Sequence, residues 1–183
     1  MKKPVVHSVA LQIFSDADKM LAEKIREGIG RQLNVTVVML PATAIPYFAF
    51  YPPRNRYIAD SLLIYLRYVN RSKNEKIIGI TSKDISTRKA PYDNWGILGL
   101  GSCPGEACVI SSFRAGKNKV KADVFEKRMV ALALHELGHT YGLEHCSVFD
   151  CVMKDAKGKM ALDDGNSYCE KCKNYLRIRN VLR

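Results

Sequence analysis

The stretch His135-Glu136-Leu137-Gly138-His139-Thr140-Tyr141-Gly142-Leu143-Glu144-His145 gathers three imidazoles and a carboxylate within one short segment. On a helix, residues four apart lie on one face about one turn apart, so His135 and His139 can address a single ion. Imidazole nitrogens suit Zn2+ at about 2.0–2.1 Å. Two ligands alone make a weak site. Gly142 stands where the helix should stop, because glycine takes the left-handed backbone that ends helices. A bend there would return the chain so that His145 becomes the third ligand. Glu170 or a nearby cysteine is the alternative, and the helix-ending glycine favours His145. Three histidines leave one tetrahedral position open to water, which a catalytic zinc requires. Glu136, next to the first ligand, is placed to take a proton from a water held by the metal and to pass it to a leaving nitrogen.

Cysteines follow directly. Cys146, Cys151, Cys169 and Cys172 supply four thiolates, the last two as a Cys-x-x-Cys knuckle. Four sulfurs close a tetrahedron, so this set predicts a structural zinc that ties the loop after His145 to the C-terminal segment. Two disulfides or unpaired buried thiols are the competing reading; the absence of a recognisable secretory leader favours metal. Cys103 and Cys108 could bind metal or oxidise, but read rather as two ordinary cysteines. Met153 is either a turn packed beneath the catalytic metal or a plain core methionine.

These residues need a scaffold to hold them. Met129-Val130-Ala131-Leu132-Ala133-Leu134 leads into the histidines and predicts a buried helix over 122–141. Apolar periodicity predicts further helices over 17–33, through Met20, Leu21, Ile25, Ile29 and Leu33 with Asp16 or Asp18 as cap, and over 57–69. A C-terminal helix is expected over 170–183. Strands are expected at 5–14, 35–40, 77–81, 96–101 and 107–113, whereas 41–54, rich in proline, and 82–94, polar and turn-rich, read as loops. The strand and helix order predicts an α/β (α+β) fold, a mixed sheet with helices packed on it. Gly96 and Gly99 could let a substrate backbone approach closely, or could mark an ordinary edge strand.

The chain has 183 residues, 47% hydrophobic and 26% charged, as one soluble-type domain with a proper core would. No run reaches the ~20 apolar residues of a membrane helix. The two lysines near the start are followed by a stretch broken by Pro4, His7 and Gln12, which reads as a strand and not as a leader, so the cytoplasm is the expected compartment. The net charge of +11 comes from Lys and Arg scattered along the whole sequence. No nucleic-acid motif accompanies it, so nucleic acid is not the expected partner.

Taken together, HExxHxxGxxH fused to Cys-x4-Cys-x-Met and followed by Cys-x2-Cys resembles the archaemetzincins, through His135, Glu136, His139, Gly142, His145, Cys146, Cys151, Met153, Cys169 and Cys172. The resemblance implies a twisted five-stranded mixed sheet, two zinc ions per chain, one on the histidines and one on the cysteines, and Met153 as the Met-turn. It also implies a cleft whose upper rim is the strand at 96–101. One catalytic domain would span 1–183, with an upper part to residue 142 and a lower part over 143–183. The interval from Met153 to Cys169 is shorter than the family pattern and reads as a surface loop. Asp155 stands two residues after Met153, where some other metzincins have a tyrosine, and leaves the stabiliser of the developing oxyanion unassigned.

The expected function is therefore zinc-dependent peptide-bond hydrolysis by a monomer acting on a peptide or protein, without a membrane partner. The alternative is a zinc-stabilised binding protein with little or no peptidase activity.

Overall fold

A computed structural model describes residues 7–70, 74–116, 120–155, 163 and 165–182. The first six residues, and most of the expected loop between Met153 and Cys169, lie outside the described residues. The main sheet has five strands: β1 (His7–Ile13), β2 (Val35–Met39), β5 (Lys76–Thr81), β8 (Gly99–Gly101) and β9 (Ala107–Ser111). Their order is β2-β1-β5-β9-β8; every neighbouring pair is parallel except β8 and β9.

Strand alternation explains where the core sits, because successive side chains point to opposite faces. Val9, Leu11 and Ile13 of β1, with Cys108 and Ile110 of β9, face helices α1 (Lys19–Gln32) and α4 (Ala122–Thr140). Ala10, with Ala107 and Val109, faces α2 (Ala59–Asn70). The central strands are thus covered on both sides, which is why their sequences read as continuous apolar runs. A short α3 (Ser112–Ala115) follows β9, and α5 (Glu170–Ile178) is shorter than the helix expected over 170–183, Leu182 bridging back to Leu33 instead.

Helix α1 begins at Asp18, whose carboxylate accepts the Met20 amide. Asp16 instead accepts from the Ser82 amide and hydroxyl and from the Thr81 hydroxyl, and so pins the first helix to the end of β5. Met20 is 76% exposed and stands off the buried face formed by Leu21, Ile25 and Ile29.

A second sheet, of four strands in the order β3-β4-β6-β7, is built from parts of the segments expected as loops, from the start of the helix expected over 57–69 and from the first residues of the strand expected at 96–101, which is thus split between the two sheets. Its members are β3 (Phe50–Tyr51), β4 (Arg56–Ile58), β6 (Ile85–Lys89) and β7 (Tyr92–Ile97). These strands are short, and the β4–β6 pairing joins residues far apart in the chain, such as Tyr57 and Ile85. Local pattern carries no signal for such a pairing. An ion-pair knot clamps the sheet: Asp84, with its side chain 10% exposed, accepts from Arg56 at 2.8 Å and from both Nε and Nη2 of Arg114 at 2.7 and 2.9 Å.

Candidate active site

Helix α4 brings His135 and His139 onto one face, and its last turn carries the chain back toward them. Gly142 N–H donates to His139 O at 2.8 Å, and Leu143 N–H donates to Gly138 O at 2.9 Å. This paired pattern needs a left-handed residue after the helix, and Gly142 supplies it with φ +93°. The reversal leaves His145 beside the helix. The three ring centroids are 4.7, 5.4 and 4.9 Å apart, and all three ligand nitrogens lie within 4.8 Å of one another.

The backbone chooses which nitrogen faces the common point. His135 Nδ1 donates to Val152 O and His139 Nδ1 to Leu143 O, each at 2.7 Å. Both Nε2 atoms are thereby left as acceptors, oriented as a metal ligand should be. They stand 3.1 Å apart, close to the ~3.3 Å edge of a tetrahedron with zinc–nitrogen bonds of about 2.0–2.1 Å. Burial holds His135 at about 4 and lowers His139, so both rings are neutral near pH 7 and ready to ligate.

The cysteines form a second group. Cys146 Sγ and Cys169 Sγ are 3.7 Å apart, as are Cys151 Sγ and Cys172 Sγ. A zinc tetrathiolate with bonds of about 2.3 Å has edges of ~3.8 Å; these two distances match that edge, and all four sulfurs lie within 4.8 Å of one another. No disulfide links any of the six cysteines.

Glu136 is 5% exposed and lies between α4 and β8. Burial pushes its carboxyl up to about 8, against the opposing effect of a hydrogen bond from the Gly101 amide. A divalent cation at the histidines would pull that value down.

Met153 is fully buried beneath α4, and its sulfur lies where a side chain on Gly138 would begin: a Cβ there would stand 2.4 Å from Sδ. Tyr168 is buried beside it and donates to Leu134 O at 2.7 Å, one residue before the first histidine. Gly99 faces the Glu136 carboxylate. The space beside Gly96 is filled by the Arg114 guanidinium, whose Nη2 a Cβ would meet at 1.9 Å. Cys103 is exposed and its thiol reaches Leu143 O at 3.5 Å, whereas Cys108 is buried in β9. Sequence reasoning did not single out Val152, Leu143, Gly101, Gly138 or Tyr168. Four of these act through backbone atoms or a missing side chain; Tyr168 had only its place beside Cys169 to mark it.

A mixed sheet packed on a helix that presents three converging imidazoles, with four cysteine sulfurs gathered in a second group, defines a zinc metallopeptidase. The profile of peptidase family M54 matches residues 23–178, and the chain belongs to that family. It is similar to the archaemetzincin of Methanopyrus kandleri, 29% identical over 164 residues that make up 89% of each chain. The archaemetzincin of Haloquadratum walsbyi is 32% identical over 141 residues, 73% of this chain and 78% of that one. The crystal structure of the M. kandleri protein superposes with a TM-score of 0.80 at 25% identity, covering 96% of this chain and 95% of that one. The archaemetzincin structure from Archaeoglobus fulgidus gives a TM-score of 0.78 at 25% identity, covering 92% and 99%.

Proposed function

We propose that the chain hydrolyses peptide bonds at a zinc held by His135, His139 and His145, with Glu136 as general base, and that a second zinc on Cys146, Cys151, Cys169 and Cys172 is structural. The observation that carries this reading is the convergence of three imidazoles beside a buried carboxylate. Zinc, when bound, supplies a Lewis acid that activates water and polarises the scissile carbonyl.

The chain's own residues do the rest. Val152 O and Leu143 O fix the tautomers of His135 and His139. Glu136 takes a proton from the attacking water and returns it to the leaving nitrogen. Met153 packs under the helix as the floor of the site. The open edge of β8 is the surface on which an extended peptide would pair, through the backbone of Gly99; at Gly96 the side toward Arg114 is filled, so contact there would also be through backbone.

In this reading one catalytic domain spans the chain, its upper part ending at residue 142 and its lower part running over 143–183. It acts as a monomer in the cytoplasm. Among the described residues no helix is long and apolar enough to cross a membrane.

The test is zinc content together with a peptide-library digest, on the native protein and on Glu136→Gln. Two zinc ions per chain, with cleavage lost in the variant, is the expected result. Persistent cleavage by Glu136→Gln overturns the role of the base. A zinc-loaded native protein that cuts nothing in the library favours the binding-protein alternative.

A further inference from the structure

Strand β8 lies at the edge of the main sheet, and its pairing with β9 has a definite phase. Ser102 N–H donates to Ala107 O, and Ser111 N–H donates to Leu98 O. Hydrogen-bonded pairs alternate along an antiparallel ladder, so residues 98, 100 and 102 turn their amides toward β9. Gly99 and Gly101 turn theirs to the open edge.

The same two glycines share a face, and that face meets α4. A Cβ on Gly99 would stand 2.6 Å from Glu136 Oε1 and 2.8 Å from its Cγ. A Cβ on Gly101 would stand 2.7 Å from the Glu136 backbone oxygen, 3.1 Å from His139 Cβ and 3.2 Å from Glu136 Oε2. Non-bonded carbon and oxygen atoms do not approach so closely without displacement. Neither glycine has a positive φ, so backbone conformation does not demand glycine at either position. The close approach of Glu136 does.

We propose that Gly99 and Gly101 are positioning residues for Glu136. Their missing side chains let the active-site helix press the base against the rim strand. The strand along which a peptide would pair thus also sets the position of the group that would move the proton. A side chain at residue 99 would push the carboxylate away while leaving the three histidines where they are. The proposal deepens the reading of Glu136 as the base and rests on it.

The experiment is a double-mutant cycle read by thermal melting, with kinetics as a second readout. Gly99→Ala is made in the native protein and in Glu136→Ala, where the carboxylate it would meet is gone. The expected result is a fall in Tm of at least about 3 °C in the native background, from overpacking, and a much smaller change in Glu136→Ala. A fall of equal size in both backgrounds overturns the proposal, because the glycine would then serve the strand and not the base. Should Gly99→Ala fold only when Glu136 is absent, the proposal is supported; should it fold in neither, it is overturned. In kinetics Gly99→Ala should lower kcat by about tenfold or more, with KM within about threefold and zinc content unchanged. Unchanged kcat with the melting signature present would also overturn it. Gly30→Ala, remote and facing open space, is the control expected to leave kcat unchanged. Retained cleavage by Glu136→Gln would sink the base itself and leave the melting cycle intact, so the two failures are distinguishable.

Discussion

His135 Nδ1 donates to the carbonyl of Val152 at 2.7 Å, and Val152 follows Cys151 in the chain. The imidazole that heads the catalytic motif is thus oriented by backbone held in the cysteine cluster. Two more links run the same way: Cys146 adjoins His145, and Cys169 adjoins Tyr168, which donates to Leu134 O. Coupling between two such sites must be reciprocal.

The first prediction concerns Cys172, which belongs to the cysteine group and not to the histidine group. Its sulfur faces Cys151 at 3.7 Å, and replacing it with serine should loosen the loop that carries Val152. Cys172→Ser is expected to weaken zinc binding at the histidines by about tenfold or more, the usual effect of disturbing the groups that orient metal ligands. Competition against a graded series of chelators measures this. Unaltered affinity at the histidine site would show that the two centres are independent.

Two glycines of α1 should respond oppositely to alanine. A Cβ at Gly30 meets nothing within 4 Å, whereas a Cβ at Gly28 would stand 2.4 Å from a γ-carbon of Val130 on α4. Gly30→Ala should stabilise the fold by about 0.5–1 kcal/mol, because alanine loses less backbone freedom in a helix. Gly28→Ala should destabilise it by about 1–3 kcal/mol, as overpacking between two helices does. Urea unfolding of both variants gives the signs, and stabilisation by Gly28→Ala would contradict this packing.

Arg128 is buried and donates to both carboxylate oxygens of Asp163 at 2.6 Å. Those hydrogen bonds hold the Asp163 carboxyl below the ordinary carboxylate range. A carboxyl depressed in the folded state stabilises the fold above its unfolded pKa, about 3.9, and loses that contribution as pH falls through the folded value. Asp163→Asn should therefore cost stability at pH 7. Because the Asp163 side chain is 43% exposed, solvent screening limits the loss to about 1 kcal/mol or less. The gap between variant and native protein should close below about pH 4. A gap that is constant with pH would mean that the carboxylate charge is not what stabilises.

Tyr168→Phe removes a buried hydroxyl that donates to Leu134 O without changing the packing beneath Gly138. A loss of about 0.5–1.5 kcal/mol is expected. Slower turnover should accompany it, because the bond lies one residue before His135. Denaturant unfolding and kcat on the same preparation test both effects, and a variant as stable as the native protein would remove Tyr168 from the support of the site.

The active-site helix, its three histidines, its glutamate and the four cysteines could be read from the chain because local rules govern them. A spacing of four places two rings on one helix face, a glycine ends the helix, and a knuckle of cysteines offers paired sulfurs. The buried strands were legible for the same reason, since continuous apolar runs occur where both sheet faces are covered. The small second sheet was not, because its strands are short and its β4–β6 pairing joins distant segments that carry no mutual signal. Nor was the reason for Gly99 and Gly101: a missing side chain has no pattern of its own, and only the approach of α4 to β8 shows that Glu136 fills the space. Residue type and spacing along the chain determined which groups could bind metal and move a proton. Tertiary structure decided which backbone carbonyls orient them and which strand presses on Glu136, because those contacts form between elements that meet only when the sheet and helices pack.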